Sequence, residues 1–334
     1  MKQVILIVVL IIVPFRNTIH SQTKRLERKS IVFISGFDED NNTYYSNAEA
    51  YFRNENFEVV TDLYALDDIL KWIRLHYDKH IYSDIHIVSH SNPWFGLSLK
   101  TTEDGERITK ATLTSAINKA MIKPLDQNIL SKNSKIIFHS CGLGKNRELL
   151  SLLKKTFSDN SSITIYASKQ FNVFGGKYEG HYLSKTYYGY YPTAQSPGPR
   201  QLAQSFKSKY SNVNVNWEKI LKTRTEQLPG DMYTHKFNIP VEWEFEFEDK
   251  ADIPEFNSKE AIMDWVQGID ELRTQIEAFH IPIEDYRWLS KTSGNTLHIK
   301  GKTTVLCIMQ PIMKQHNSET YLPIDIENEH YIKL

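Results

Sequence analysis

From Ser30 onward, short apolar runs alternate with stretches whose apolar side chains recur three and four positions apart. Ile31-Val32-Phe33-Ile34, Phe57-Glu58-Val59-Val60, Ile85-His86-Ile87-Val88, Lys135 to Phe138 and Ile163-Thr164-Ile165-Tyr166 predict five strands. Between them, Tyr44 to Arg53 predicts a helix, as do the faces Leu66/Ile69/Leu70/Ile73/Tyr77, Leu113/Ile117/Met121 and Leu149/Leu150/Leu153/Phe157. Strands alternating with helices predict an α/β fold, a mainly parallel sheet with helices on both faces.

The pattern changes after the breaker-rich segment Gln195 to Arg200, QSPGPR. Val241, Trp243, Phe245 and Phe247 alternate with Glu242, Glu244, Glu246 and Glu248, which predicts a half-buried strand with a solvated acidic face. Ile262, Trp265, Ile269, Leu272, Ile276 and Phe279 predict one long amphipathic helix, Gly294-Asn295 a hairpin turn, and Val305 to Met309 a further strand. These signals divide the chain into an α/β domain over 29–195 and a smaller C-terminal α+β domain over 200–334.

At the amino terminus, Lys2 precedes the eleven apolar-rich residues Gln3 to Val13, QVILIVVLIIV, and polar residues follow. This predicts a signal peptide over 1–21 and an exported protein, periplasmic or extracellular, with no stable membrane insertion once the leader is removed. The apolar run is short for a span, which needs about 20 residues.

Composition narrows the chemistry. The 334 residues carry 40 Lys plus Arg against 40 Asp plus Glu, a net charge of zero. Loss of Lys2 and Arg16 with the leader gives 38 − 40 = −2. Neither balance has the basic excess of a nucleic-acid binder. Two cysteines exclude a disulfide framework, and no cofactor motif is read.

Chemically capable side chains cluster at two strand ends, where ligands bind in open α/β sheets. The third strand runs into His90 in IHIVSHSNPWFG, and the fourth runs into Cys141 in KIIFHSCGLG, 51 positions later. An imidazole is the usual base for a thiol, and Gly142 and Gly144 allow a sharp turn whose N–H groups could hold an oxyanion. His86 reads as structural. His139, two residues before Cys141, is a second candidate base if the strand stays extended. Cys307, in Thr304-Val305-Leu306-Cys307-Ile308, reads as core, and a Cys141–Cys307 bridge would remove the thiol.

Over Ser30 to Tyr191 this arrangement resembles the caspase-like fold of the clan of caspases, gingipains, legumains, clostripain, separases and CHAT domains. The resemblance implies a cysteine endopeptidase, exported through the predicted leader, acting on a polypeptide substrate through a thiolate and an acyl-enzyme. It makes His90 the base and Cys141 the nucleophile, with the Cys141 amide and a backbone amide beside His90 as the oxyanion hole. Ser91 and Gly142 are therefore the backbone candidates there. Family members usually carry Gly directly after the His, where this chain has Ser91. That departure motivates a second reading, a catalytically inactive caspase-like binding module.

Two rival sites are weaker. Ser89-His90-Ser91-Asn92-Pro93 resembles the nucleophile elbow of a serine esterase of α/β-hydrolase type, with Ser91 as nucleophile, but Ser89 and Pro93 replace both glycines. Asp38, Asp40, Asn42 and Glu49 occupy positions 1, 3, 5 and 12 of a calcium-loop pattern whose sixth position, Thr43, lacks the required Gly. Lys169 to Gly176, after the fifth strand, is a candidate wall of the substrate site.

Overall fold

The structure is a computed structural model that describes residues 29–38, 43–77, 82–126, 129–130, 133–158, 163–315 and 317–334. The proposed leader lies outside them. Among the described residues no helix is long and apolar enough to cross a membrane.

Five parallel strands form the first sheet: β1 (Lys29–Ile34), β2 (Glu58–Val60), β3 (Tyr82–Val88), β4 (Lys135–His139) and β5 (Thr164–Ser168). Their spatial order is 2-1-3-4-5, so the strand order reverses between β1 and β3. Alternate residues of β1 face opposite layers. Ile31 and Phe33 pack in the layer of α2 (Leu66–His76) and α4 (Arg147–Phe157), while Val32 and Ile34 pack in that of α1 (Thr43–Asn54). Leu66, Ile69, Leu70 and Ile73 of α2 are all fully buried. Each such side chain contributes about 1.5–3 kcal/mol of burial free energy. The mixed α/β architecture expected from the alternating pattern is present. The expected helical face through Met121 overshoots, because its helix, α3, spans only Lys110–Asn118.

A second, antiparallel sheet is built around one long strand, Thr296–Pro311. Tyr233–Glu246 pairs along one edge of it. Along the other edge, Arg287–Ser293 pairs with its first half and His181–Pro192 with its second, Thr303–Pro311. Phe171–Phe174 extends the sheet beyond His181–Ser184. The Gly294-Asn295 turn is present, and Gly301 leaves room that Trp288 fills, since a Cβ there would lie 2.6 Å from the indole. The helix expected from Ile262 to Phe279 is two helices, Lys259–Gly268 and Asp270–Ala278. Gly268 is a poor helix former, and Ile269 takes an extended conformation with φ −101° and ψ 112°.

The strand pairing crosses the division drawn at residues 195–200. His181–Pro192 lies before that segment, yet pairs with Thr303–Pro311 after it. The last strand, Tyr331–Lys333, returns to the first sheet as an antiparallel edge beside β5. Breaker residues mark a change of direction here, but the backbone hydrogen bonds unite both sides. A fragment of residues 29–195 therefore lacks the partners of His181–Pro192 and the cap on β5. It is expected to show no cooperative thermal transition by circular dichroism, where an autonomous domain would melt sharply.

Candidate active site

The carboxyl ends of β1, β3 and β4 converge on one cavity of about 570 Å³. Its lining includes Asp38, Tyr44, His90, Ser91, Arg107 and Cys141. Asp38 follows β1 and His90 follows β3, so they flank the point of strand reversal. Gly36 makes this end possible. A Cβ there would lie 2.0 Å from the Tyr45 hydroxyl, which instead donates to Asp38 Oδ1 at 2.8 Å and accepts from the His90 N–H at 3.0 Å. The His90 carbonyl accepts from Ser98 N at 2.8 Å. Its ring stacks on Tyr44, with centroids 4.2 Å apart and planes 26° apart, and meets Tyr45 edge-on at 5.0 Å.

Cys141 follows β4 by two residues, and β3 and β4 pair Val88 with His139 at their ends. Gly142 then turns through the left-handed region at φ +70° before α4 begins, with the Asn146 side chain accepting from Leu149 N. The Cys141 thiol donates to the Asn172 carbonyl at 3.6 Å, on the strand Phe171–Phe174. It makes no hydrogen bond to His90. Burial pushes the thiol up to about 12, opposed by the Asn172 hydrogen bond. Burial also lowers His90, with Asp38 opposing and Arg107 reinforcing the shift. Both groups are held neutral by desolvation.

Several sequence expectations change here. His139 makes no hydrogen bond to the thiol. The strand ends at His139 and Cys141 already lies in the turn, while His139 is buried with its Nε2 2.8 Å from His86 Nδ1. The Gly142 amide donates to the Gln170 carbonyl at 3.0 Å, so it is not free to hold an oxyanion. The Cys141 N–H makes no hydrogen bond among the described residues, and Ser91 lines the cavity. Ser91 lacks the strand–turn–helix setting of an elbow. It enters a two-residue strand, Ser91–Asn92, that pairs with Gly96 and Leu97. Thr43 to Glu49 are helical and cannot wrap a cation, and Glu49 pairs with Arg53 at 2.7 Å. Asp40 and Asn42 lie outside the described residues. Among those described, no group of three or more His, Cys, Asp or Glu side chains is placed to hold a metal ion.

The wall foreseen over Lys169 to Gly176 contains a strand, and Phe171, Asn172, Val173 and Phe174 all line the cavity. Cys307 is 1% exposed, as a core residue would be, but also lines the cavity, and both cysteines are free. Comparison of the chain with protein-family models, curated proteins and solved structures finds no match.

Two residues at the site, Tyr44 and Arg107, carry no local sequence signal, and Asn172 was foreseen only as part of the wall. Arg107 sits half-buried with its guanidinium over the Phe37 ring at 4.7 Å. Asn172 also joins a buried histidine group beneath the cavity. Its Oδ1 lies 3.1 Å from His181 Nε2, and the His181 and His139 rings meet at 5.3 Å.

Burial lowers His86 to about 4 and His181 to about 3, and holds His139 well below its ordinary value. The unfolded chain therefore takes up these protons first as pH falls through about 6.5. Stability is full above that pH and declines until the folded histidines titrate. His86 alone accounts for on the order of 3 kcal/mol. Urea denaturation at pH 7 and pH 4.5 should show this loss, and equal stabilities would contradict neutral burial.

Proposed function

We propose that the chain is a cysteine-type peptide hydrolase in which Cys141 is the nucleophile and His90 the general base. The observation that carries this reading is that the two side chains, far apart in sequence, line one cavity at the ends of adjacent parallel strands. The resemblance of Ser30 to Tyr191 to the caspase-like clan points the same way. Export directed by a leader over 1–21 would put the reaction outside the cytoplasm.

In the proposed reaction a peptide carbonyl enters between imidazole and thiol. The Sγ–H proton passes to His90 as sulfur attacks the carbonyl carbon, and the Cys141 N–H, without a partner among the described residues, donates to the developing oxyanion. The imidazolium then protonates the departing amine, leaving a thioester at Cys141. Water, losing a proton to His90, releases the acid and restores the thiol. A neutral imidazole is the form that can accept the first proton, which is the form burial favours.

The second reading, a catalytically silent binding module, is favoured by the thiol itself. It is held up at about 12 and is bonded to the Asn172 carbonyl. Incubating the reduced protein with a peptide library separates the two. Under the hydrolase reading Cys141→Ala abolishes cleavage, His90→Ala lowers kcat about 10²- to 10⁴-fold, and Ser91→Ala retains it. Absence of cleavage together with tight peptide retention would favour the module. Ester cleavage lost only in Ser91→Ala would move the nucleophile to the serine.

A further inference from the structure

We propose that Tyr44 is a gate on this site, closed by its stack on His90 and its hydrogen bond to the His139 carbonyl, and opened by an incoming peptide backbone. The inference rests on the hydrolase reading and names how that same site is regulated.

Tyr44 lies in the first turn of α1. Its ring covers the His90 imidazole at 4.2 Å, and its hydroxyl donates to the His139 carbonyl at 2.7 Å. His139 is only two residues before Cys141, so one side chain reaches from the base to the nucleophile's turn. The ring is braced edge-on by Phe174 at 5.3 Å and Tyr45 at 5.5 Å. Burial raises the phenol's pKa most, and the neighbouring Cys141 raises it further, so the hydroxyl end and the thiol feel one another.

A reacting carbonyl must sit about 3–3.5 Å from the sulfur with the imidazole in reach. Tyr44 lines the same cavity as those two groups, stacked on the imidazole and bonded two residues before the thiol, which meanwhile donates to Asn172 on the second sheet. Opening exposes the imidazole and vacates a carbonyl acceptor at His139. A peptide N–H can take the phenol's place on that carbonyl, so the ligand that opens the gate is a polypeptide backbone. Asp38 and Arg107 act on the His90 ring electrostatically, and Tyr45 meets it edge-on.

The test is the rate of Cys141 alkylation by iodoacetamide in the reduced full chain, mapped by peptide mass spectrometry so that Cys307 is counted separately. Tyr44→Leu is expected to react at least tenfold faster at Cys141, with Cys307 unchanged. Tyr44→Phe, which keeps the ring and loses the His139 bond, is expected to react threefold faster or more. An unchanged Cys141 rate in a folded Tyr44→Leu protein would overturn the gate. Should that variant fail to fold, an unchanged rate in Tyr44→Phe would overturn it instead. Peptide cleavage measured in parallel separates this proposal from the reading beneath it. Faster alkylation without cleavage upholds the gate and removes the hydrolase. Cleavage by the wild-type protein with unchanged alkylation in the variants upholds the hydrolase and overturns the gate.

Discussion

Desolvation of the carboxyl ends of β3 and β4 is the constraint on which the rest of the site depends. In an open α/β sheet those ends face solvent, and a thiol there would titrate near its ordinary value. Here the strand Phe171–Phe174 and α1 close over them, and burial is the largest influence on Cys141, His90, His86, His139 and His181 alike. Every one of those shifts disfavours the charged form. A catalytic thiol in this setting cannot rest as a thiolate. Its activation then comes at the moment of reaction, by proton transfer concerted with attack.

The same burial explains why the site is assembled from both sheets. The strand carrying Asn172 belongs to the antiparallel sheet, yet its carbonyl takes the proton-bearing end of Cys141 and its side chain contacts His181. A thiol and three histidines removed from water need partners that a single parallel sheet does not supply at its end. The return of Tyr331–Lys333 to the edge of β5 ties the two sheets again from the far side. Splitting the protein near residue 195 would thus cut through the support of the site.

The parallel sheet was legible because its inner strands are short apolar runs buried on both faces, and helical spacing marks α2 and α4 between them. Knowing where β3 and β4 stop was enough to nominate His90 and Cys141. His181–Pro192 was illegible for a physical reason. Its five tyrosines and scattered polar residues show no clean alternation, and its partner lies more than a hundred residues later. Enrichment in tyrosine, a residue favoured in strands, was the available signal. Tyr44 could not be singled out, because its role comes from contacts with His90 and His139 that only the tertiary fold creates. The expectation for His139 failed for a local reason: the strand ends at His139 and Cys141 already lies in the turn, so the two-residue periodicity does not reach the thiol.

Trapping the acyl-enzyme puts the pairing of Cys141 with His90 to the proof. Reduced protein is mixed with an activated peptide ester, quenched in acid, and its intact mass and peptide map recorded. One acyl group per chain is expected, attached at Cys141, formed in wild type and not in His90→Ala. An unmodified Cys141 in folded, reduced protein, or acylation that proceeds equally well without His90, would contradict the assignment.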